Sequence, residues 1–507
     1  MTTTRELPRS NPEAEGLDPA AVRRLVENLD GLDAVHSFML LRHGKVVAEG
    51  WWSPYDAETP HLMFSVSKSF TSIAVGLAFV DGLFDLDDKV LDHFAAEAPE
   101  APSDNLRAMT IRHLLTMSTG HAASTMEAIV PTNLGMQESD WVRQILAQPV
   151  PDEPGSRFLY NTGATYLAGV IVQRLTGRRL LDYLGERVLE PLGFQGATWE
   201  QDPDGLDVGG YGMRVRTEDL AKLGQFCLQQ GHWDGEQLIP GEWIEAATSR
   251  QIHSTHDDWP EWRQGYGFQF WRSRFGAYRA DGAFGQYSIV WPDHDVVLAI
   301  TSGVQNLQSV QDAVWDALLP SLDPVAARDA GLPHDAPGRV LPAGGSQTPP
   351  VVAPPEGGIT WDLHLPRPTG ERTRPGTPVT GRTYRMSPND GGLEALELDL
   401  DDDGRLVLRE DIGGKRRTLT LGHGEWVRQD VELADGPEEL ACAAAWTEPN
   451  TLVVRMVAVG APFTFTLTLR FDGDDVTVSL DQNVAFGDTH LLDATGTAAR
   501  PEPEPTI

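Results

Sequence analysis

The stretch from Phe64 to Gly82 constrains the fold more than any other part of the chain. Its apolar residues recur at helical spacing from Val66 to Val80, and Gly82 is a natural stop for a helix. This pattern predicts a mostly buried helix whose first turn carries Ser65 and Lys68. Because residues three apart share one face of a helix, we expect the hydroxyl and the amine of these two residues to touch.

Lysine is scarce in this sequence, so a lysine on an apolar helix is informative. The chain has five lysines against thirty-five arginines. Burial disfavours the charged form of the Lys68 amine, and a neutral amine beside a serine hydroxyl can activate it as a nucleophile. The free N–H groups and the positive dipole at the start of a helix can also stabilise a negative oxygen near Ser65. The pattern therefore predicts an activated nucleophile at Ser65, with Lys68 as its base.

Local signals elsewhere favour an α+β domain. Asp18-Pro19 is a typical helix start. Val35 to Arg42, the turn His43-Gly44 and Lys45 to Trp52 together predict a β-hairpin. A hairpin followed by the Ser65 helix and by further helices indicates an antiparallel sheet that shares its domain with a helical lobe.

Three motifs of the chain together resemble one enzyme family. The motifs are Arg42-His43-Gly44-Lys45, Phe64-Ser65-Val66-Ser67-Lys68-Ser69-Phe70-Thr71 and Ile111-Arg112-His113-Leu114-Leu115-Thr116-Met117-Ser118-Thr119-Gly120-His121. The Ser-x-x-Lys spacing of Ser65 and Lys68 is the acylation signature of serine β-lactamases and penicillin-binding proteins. From about Gly16 to Leu319 the chain resembles the class C β-lactamase-related, penicillin-binding-protein-like serine hydrolases, which include esterases, D-aminopeptidases, aminohexanoate-oligomer hydrolases and a few acyltransferases. The resemblance implies a β-lactamase/transpeptidase-like fold.

A second group of candidate residues lies at Tyr160-Asn161-Thr162, where the family carries Tyr-x-Asn or Tyr-x-Ser. The resemblance implies that Tyr160 accepts the serine proton and delivers it to the leaving group. A nearby ammonium would favour the ionised phenol. Asn161 and Thr162 are candidate substrate-binding residues, and Thr162 can donate a hydrogen bond although not as an amide. The alternative is that Tyr160 is an ordinary turn tyrosine with a satisfied hydroxyl.

The third group lies in Tyr278 to Asp293, which resembles the strand pair that holds Lys-Thr-Gly or His-x-Gly in relatives. Counted back from the proline of this stretch, Gly282 falls on the glycine of that motif. A glycine there lets a substrate backbone lie against the strand edge. The resemblance further implies that the amide of Ala283 is an oxyanion donor together with that of Ser65.

The same count puts Ala280 on the position of the cation that holds a substrate carboxylate in relatives. Arg279 and Arg274 are candidate replacements, although neither occupies the motif position. The missing cation disfavours β-lactamase and carboxypeptidase activity more than it disfavours esterase or amidase activity.

The composition argues against several classes of binding partner. A formal net charge of −34 over 507 residues argues against nucleic acids and anionic membranes. The first residues lack the apolar core of a signal peptide, and two cysteines do not suggest a disulfide framework, so we expect a cytoplasmic protein. His253 to Asp258 is a short polar cluster without a second group of ligands, so we interpret it as a loop and expect no metal or other cofactor.

The composition changes after the part that resembles the family. Residues 1–320 are predicted to be the catalytic domain, and 321–378 a Pro-rich linker or a segment that wraps a domain. Residues 379–507 are predicted to be an all-β domain, an antiparallel, lipocalin-like barrel. Asp399 to Glu410 has the spacing of an EF-hand loop, but its flanks alternate like strands, so we predict a hairpin there instead.

The sequence as a whole predicts a serine hydrolase. We expect it to cleave an ester or amide bond of a small molecule or short peptide through an acyl-enzyme on Ser65. One alternative is an acyltransferase, in which an amine or alcohol replaces water. The other is a catalytically silent binding protein with a β-lactamase-like fold, which the altered second and third motifs allow.

Overall fold

A computed structural model describes residues 6–127, 140–254, 259–332, 351–352, 359–374, 379–433 and 436–499. The helices are α1 (Pro19–Asp30), α2 (Ser67–Val80), α3 (Asp104–Ala108), α4 (Ile111–Leu115), α5 (Trp141–Leu146), α6 (Thr162–Thr176), α7 (Leu180–Leu184), α8 (Glu190–Leu192), α9 (Thr217–Leu228), α10 (Gly241–Thr248), α11 (Leu307–Leu322) and α12 (Pro324–Asp329).

The strands fall into an early group, which alternates with these helices, and a late group without helices. They are β1 (Val35–Arg42), β2 (Lys45–Ser53), β3 (His61–Leu62), β4 (Thr198–Trp199), β5 (Met213–Val215), β6 (His232–Trp233), β7 (Glu236–Gln237), β8 (Trp271–Arg272), β9 (Tyr278–Gly282), β10 (Gln286–Trp291), β11 (Val296–Ser302), β12 (Val351–Val352), β13 (Ile359–His364), β14 (Arg382–Met386), β15 (Leu393–Leu400), β16 (Leu406–Ile412), β17 (Lys415–Leu421), β18 (Val427–Leu433), β19 (Gly436–Glu448), β20 (Thr451–Ala458), β21 (Thr464–Asp472), β22 (Asp475–Gln482) and β23 (His490–Ala498).

The chain forms two compact units. The first comprises Met1–Trp51, Ala57–Ser302 and Asn306–Leu363, and the second comprises Trp52–Asp56, Gly303–Gln305 and His364–Ile507. Among the described residues, no helix has both the length and the apolarity needed to cross a membrane.

The first unit is α+β, as predicted. Its main sheet has the strand order β12-β13-β2-β1-β11-β10-β9-β8, and β3-β5-β4 form a smaller sheet. The predicted hairpin is β1–β2, and His43 and Gly44 at its turn have φ values of 51° and 70°. Both values lie in the left-handed region that a tight two-residue hairpin turn requires. Helix α9 covers the face of β1, β10 and β11.

Helix α2 is the buried centre of this unit, as the apolar stretch predicts. All of its residues from Ser67 to Ala78 are buried. It packs against α6, which Asn161 caps at its N-terminus, and against α7. A short 3₁₀ turn, Phe64–Val66, leads into α2 and carries Ser65. The candidate nucleophile therefore lies where the rigid interior of the unit begins.

The described residues between 321 and 378 include a helix and two strands. Helix α12 begins at Pro324, capped by the Asp323 side chain. Strands β12 and β13 extend the main sheet beside β2. Strand β13 lies beside a strand more than 300 residues earlier in the chain, which local composition does not reveal. The division at residues 320 and 378 stays a prediction.

The second unit is an all-antiparallel, nearly closed barrel of ten strands, in the order β17-β16-β15-β14-β23-β22-β21-β20-β19-β18. Near the gap between β17 and β18, the Gly422 N–H donates to the Cys442 carbonyl at 3.2 Å, and the Gly422 carbonyl oxygen accepts from the Ala444 N–H at 2.7 Å. Since Gly422 follows β17 and the other two residues lie in β19, these bonds draw the barrel towards closure. The predicted antiparallel β architecture is confirmed.

The EF-hand spacing belongs to a hairpin, as predicted. Strands β15 and β16 pair from Leu400↔Leu406 onwards, and Gly404 at the turn has a φ of 73°. Acidic side chains of this stretch have separate partners. Glu410 accepts from Arg417 at 2.6 Å and Asp399 from Arg409 at 3.1 Å, whereas Asp401 accepts from the backbone N–H groups of Asp403 and Arg405.

Candidate active site

The Ser65 hydroxyl and the Lys68 amine are in direct contact. Lys68 Nζ donates to Ser65 Oγ at 2.8 Å and to the carbonyl oxygen of Gly210 at 2.7 Å. Ser65 sits in the 3₁₀ turn directly after Phe64, whose φ of 46° lies in the left-handed region. A non-glycine residue in that conformation costs free energy, and such strain is often found beside functional side chains.

Burial makes Lys68 a base near neutral pH. The residue is 1% exposed. Loss of hydration lowers the pKa of its amine from 10.5 to about 7, while the charge of Asp281 opposes that shift. The amine is therefore largely neutral above about pH 7 and can accept the proton of the Ser65 hydroxyl.

The buried amine also has a cost in folding stability. Below about pH 7 the amine is charged in both the folded and the unfolded chain, so the full desolvation cost is present. Between about pH 7 and 10.5 only the unfolded chain keeps the proton, so the free energy of unfolding rises with pH by about 1.4 kcal/mol per pH unit.

We expect Lys68→Met to remove this pH dependence of stability. Its gain in melting temperature over the parent protein should be larger at pH 6 than at pH 9, which thermal unfolding at the two pH values would measure. An equal gain at both would contradict the shifted pKa.

Tyr160 lies against the same amine. Lys68 Nζ is 5.0 Å from the centre of the Tyr160 ring, which stacks on the Trp271 ring at 5.6 Å between centroids. Burial raises the pKa of the Tyr160 phenol, and a hydrogen bond with Ser65 opposes this shift. The net direction is opposite to the expectation that a nearby ammonium favours the ionised phenol, because desolvation is the largest influence on the pKa of this phenol. Tyr160 is therefore held neutral and can act as a proton donor.

The Asn161 side chain makes hydrogen bonds to other groups of the protein around the site. Its Oδ1 accepts from the Thr125 N–H and hydroxyl, both at 2.9 Å, and from the Gly163 N–H at 3.1 Å. Thr162 begins α6 next to Gly210, where an added Cβ would lie 2.6 Å from the Thr162 Cγ2. This close packing holds in place the carbonyl that accepts from Lys68. A substrate-binding role for Asn161 and Thr162 stays a prediction.

Gly282 lies directly against the chain that leads into Ser65. A Cβ on Gly282 would come within 2.2 Å of the Met63 carbonyl oxygen. Beyond Ala283, the Phe284 ring meets the Phe64 ring edge to face at 5.3 Å. These two contacts bracket Ala283 and place it near the Ser65 turn. Its role as an oxyanion donor stays a prediction.

Ala280 lies on the same face of β9 as Gly282, the face that meets the chain leading into Ser65. It is paired across the strands with Ser288, whose Oγ donates at 3.1 Å to the Leu220 carbonyl oxygen in α9. Side chains alternate along a strand, so Arg279 and Asp281 project from the opposite face. The cation position counted from the sequence therefore lies on the Gly282 face of β9, where the alanine side chain supplies no charge.

Neither candidate replacement cation is unpaired. Arg279 Nε donates to Asp281 Oδ2 at 2.8 Å. Arg274 binds Glu261, and its Nη2 donates to Asp312 at 2.9 Å. In the short polar cluster from His253 to Asp258, residues 255–258 lie outside the described residues.

The sequence analysis missed three groups of this site. The Gly210 carbonyl, Asp281 and Trp271 all reach Lys68 or Tyr160 from segments distant in sequence. A signal existed for two of them. Gly209-Gly210-Tyr211-Gly212 is a glycine-rich stretch that allows close backbone approach, and Asp281 adjoins the motif glycine Gly282.

A Ser-x-x-Lys pair at the start of a buried helix, beside an antiparallel sheet, defines the fold class of serine β-lactamases and penicillin-binding proteins. The family model described as Beta-lactamase matches residues 22–345. The chain belongs to the β-lactamase family.

Relatives within this family carry out both hydrolysis and acyl transfer. The monacolin J acid methylbutanoyltransferase of Aspergillus terreus is 30% identical over 172 residues, which are 30% of this chain and 41% of that enzyme. The 6-aminohexanoate-dimer hydrolase of Paenarthrobacter ureafaciens is 23% identical over 45% of this chain and 64% of its own length. The chain thus spans less than two thirds of either curated relative.

A solved structure shares the fold. EstCE1, described as a hydrolase with promiscuous acyltransferase activity, superposes with a TM-score of 0.50 at 18% identity. The superposition covers 60% of this chain and 100% of EstCE1.

Proposed function

We propose that this protein is a serine hydrolase that cleaves an ester or amide bond of a small molecule or short peptide through an acyl-enzyme on Ser65. The observation that carries the proposal is the 2.8 Å contact between Ser65 Oγ and the Nζ of a lysine that is 1% exposed. A buried amine with a pKa of about 7 is suited to general-base catalysis at neutral pH.

The proposed reaction has two stages. The Ser65 oxygen attacks the substrate carbonyl carbon while Lys68 takes the hydroxyl proton. Tyr160 gives its proton to the departing alcohol or amine and regains one from Lys68, so charge balances at the end of the first stage. The N–H groups of Ser65 and Ala283 would hold the oxyanion. A water molecule then attacks the acyl group, and the acid is released as Ser65 recovers its proton.

Substrates without a carboxylate fit the site best. The cation position holds Ala280, which carries no charge, and Arg279 on the opposite face of β9 is already bound to Asp281. A charge-assisted hydrogen bond to a substrate carboxylate would contribute about 1.5–3 kcal/mol. We therefore propose neutral esters or amides in preference to penicillins.

A second candidate is acyl transfer to an amine or alcohol. The relative from Aspergillus terreus is named as a methylbutanoyltransferase, and EstCE1 is described with acyltransferase activity. Hydrolysis and transfer share the same acyl-enzyme and differ only in what attacks it. A silent binding protein would form no acyl-enzyme.

Intact-mass measurement with a fluorophosphonate and with p-nitrophenyl esters tests these possibilities. An adduct that peptide mapping locates on Ser65, together with ester turnover in water, supports the hydrolase. Acyl product formed only after an amine or alcohol is added supports the transferase. A protein that carries no adduct after prolonged incubation would overturn both and leave the binding protein.

The pH dependence of acylation follows from the Lys68 pKa. We expect kcat/KM for a neutral ester to rise through about pH 7 and then level, because the active form of the base is the neutral amine. Lys222→Arg is the matched control. This second buried lysine lies 3.7 Å from both Glu218 and Asp219 and outside the proposed site, so its variant should keep the same midpoint. A rate that falls as pH rises through 7 would contradict the base assignment.

A further inference from the structure

A buried ion pair lies on strand β9, on the face opposite Ala280 and Gly282. Arg279 is 0% and Asp281 8% exposed, and they are two residues apart, so their side chains share one face of the strand. Arg279 Nε donates to Asp281 Oδ2 at 2.8 Å, and Trp262 donates a further hydrogen bond to this carboxylate. The pair is thus fixed in orientation and shielded from water.

The guanidinium of Arg279 is anchored on its other side. Its Nη1 donates to Ser273 Oγ at 2.8 Å and to the Arg272 carbonyl at 3.2 Å. Its Cζ lies 4.6 Å from the Trp262 ring and 5.9 Å from the Trp271 ring. Hydrogen bonds in the plane and aromatic faces above it leave the guanidinium little freedom.

A continuous stack joins this pair to the proposed catalytic groups. Trp271 is the cross-strand neighbour of Arg279 in the β8–β9 register. The Trp271 ring stacks on Tyr160 with an interplanar angle of 23°, and the Lys68 Nζ lies 5.0 Å from the Tyr160 ring centre. The order of the layers is therefore Arg279, Trp271, Tyr160 and Lys68.

We propose that Arg279 and Asp281 form a positioning pair for the Ser65 site. The Arg279–Trp271 contact holds the Tyr160 ring under the Lys68 amine, and the opposed charges of the pair set how readily that amine loses its proton. This assignment rests on the proposed function. Neither residue is placed in contact with substrate.

The charges around the pair explain why both members are needed. The charge of Asp281 favours the charged form of Lys68. Asp281 also raises the pKa of Tyr160, whereas Arg279 lowers the pKa of Tyr160. Burial raises the pKa of Asp281 itself, and Arg279 opposes that shift. Without Arg279, the Asp281 carboxylate would keep Lys68 protonated to higher pH. Without Asp281, the Arg279 guanidinium would make the Lys68 amine lose its proton at lower pH.

Other titratable groups surround the pair. Glu261 Oε2 is 3.9 Å from Arg279 Nη1, and Glu261 also binds Arg274. The charge of Asp281 additionally acts on Tyr266 and Tyr287, whose burial already raises their pKa values. These tyrosines stay neutral near pH 7, and Glu261 is held by Arg274, so Asp281 and Arg279 are the groups whose removal changes the charge next to Lys68.

The test measures the rate of Ser65 acylation by a fluorophosphonate against pH. Asp281→Asn keeps the shape and its acceptor oxygen but removes the negative charge, so the midpoint should shift to lower pH by about one unit. Arg279→Gln should shift it to higher pH by a similar amount, whereas Arg279→Lys, which keeps the charge, should stay closer to the parent protein. Opposite shifts from the two charge removals are the expected signature.

A purely structural pair would lower the rate and leave the midpoint unchanged. Asp312→Asn is the matched control, because this half-exposed carboxylate binds Arg274 rather than Arg279. If Arg279→Gln does not fold, the midpoint of Asp281→Asn alone decides the matter. Labelling of Ser65 with unchanged midpoints in the folded variants would overturn the positioning role only, whereas absence of labelling in the parent protein would overturn the proposed function and this role with it.

Discussion

Replacing Lys68 with arginine is expected to slow acylation of Ser65 by about 10²–10⁴-fold. Arginine keeps the positive charge but cannot release its proton near neutral pH. The parent amine has a pKa of about 7 and touches Ser65 Oγ at 2.8 Å, so only the parent protein offers a base in place. Pre-steady-state release of p-nitrophenol would measure the acylation step directly.

The control for this variant is Lys45→Arg, a substitution at a half-exposed lysine that binds Glu15 at 2.7 Å. It should change the acylation rate little. Circular dichroism and thermal unfolding would show whether Lys68→Arg remains folded. A folded Lys68→Arg protein with near-normal ester turnover would refute the role of Lys68 as general base.

The start of α2 could be predicted because its signals are local. Helical periodicity, the Ser65–Lys68 spacing and the stop at Gly82 all lie within one stretch, and the His43-Gly44 turn likewise defines its own hairpin. In these cases the residues that carry the signal are also the ones that interact. The family resemblance then placed Tyr160 beside Lys68, which spacing alone could not do.

The surroundings of the site could not be predicted, because they depend on long-range pairing. Whether Ala280 or Asp281 faces the site depends on how β9 pairs with β10 and packs on α9, and a shift of one residue would reverse it. The Gly210 carbonyl reaches Lys68 from 142 residues away in sequence. Strands β12 and β13 likewise take their place from a sheet built by earlier segments, while their own composition favours a linker.

The role of Gly282 illustrates the same point. The sequence analysis predicts that a substrate backbone lies against the strand at Gly282. In the structure, the Met63 carbonyl oxygen lies where a side chain at position 282 would be. Both ideas require a glycine, but they differ in what a substitution would displace. In the structure it is the protein's own backbone, two residues before Ser65.

Gly282→Ala is therefore expected to damage both activity and stability. The new Cβ would lie 2.2 Å from the Met63 oxygen, and a backbone atom cannot rotate away as a side chain can. Either β9 or the Phe64–Val66 turn must move, which separates Ser65 from the amide of Ala283. Because displacement by about 1 Å can cost roughly a hundredfold in rate, we expect a loss of at least that order in Ser65 acylation. We also expect a lower melting temperature, since overpacking costs about 1–3 kcal/mol.

The matched control is Gly185→Ala, because a Cβ at Gly185 meets no atom within 4 Å and its φ is negative. That variant should keep the parent melting temperature and acylation rate. Measuring both quantities for the two variants separates the local clash from a general effect of replacing a glycine. If glycine were needed at position 282 only to admit a substrate backbone, Gly282→Ala would keep its melting temperature and its labelling by a small fluorophosphonate, while losing turnover of peptide substrates alone. The 2.2 Å contact predicts instead that melting temperature and labelling fall together.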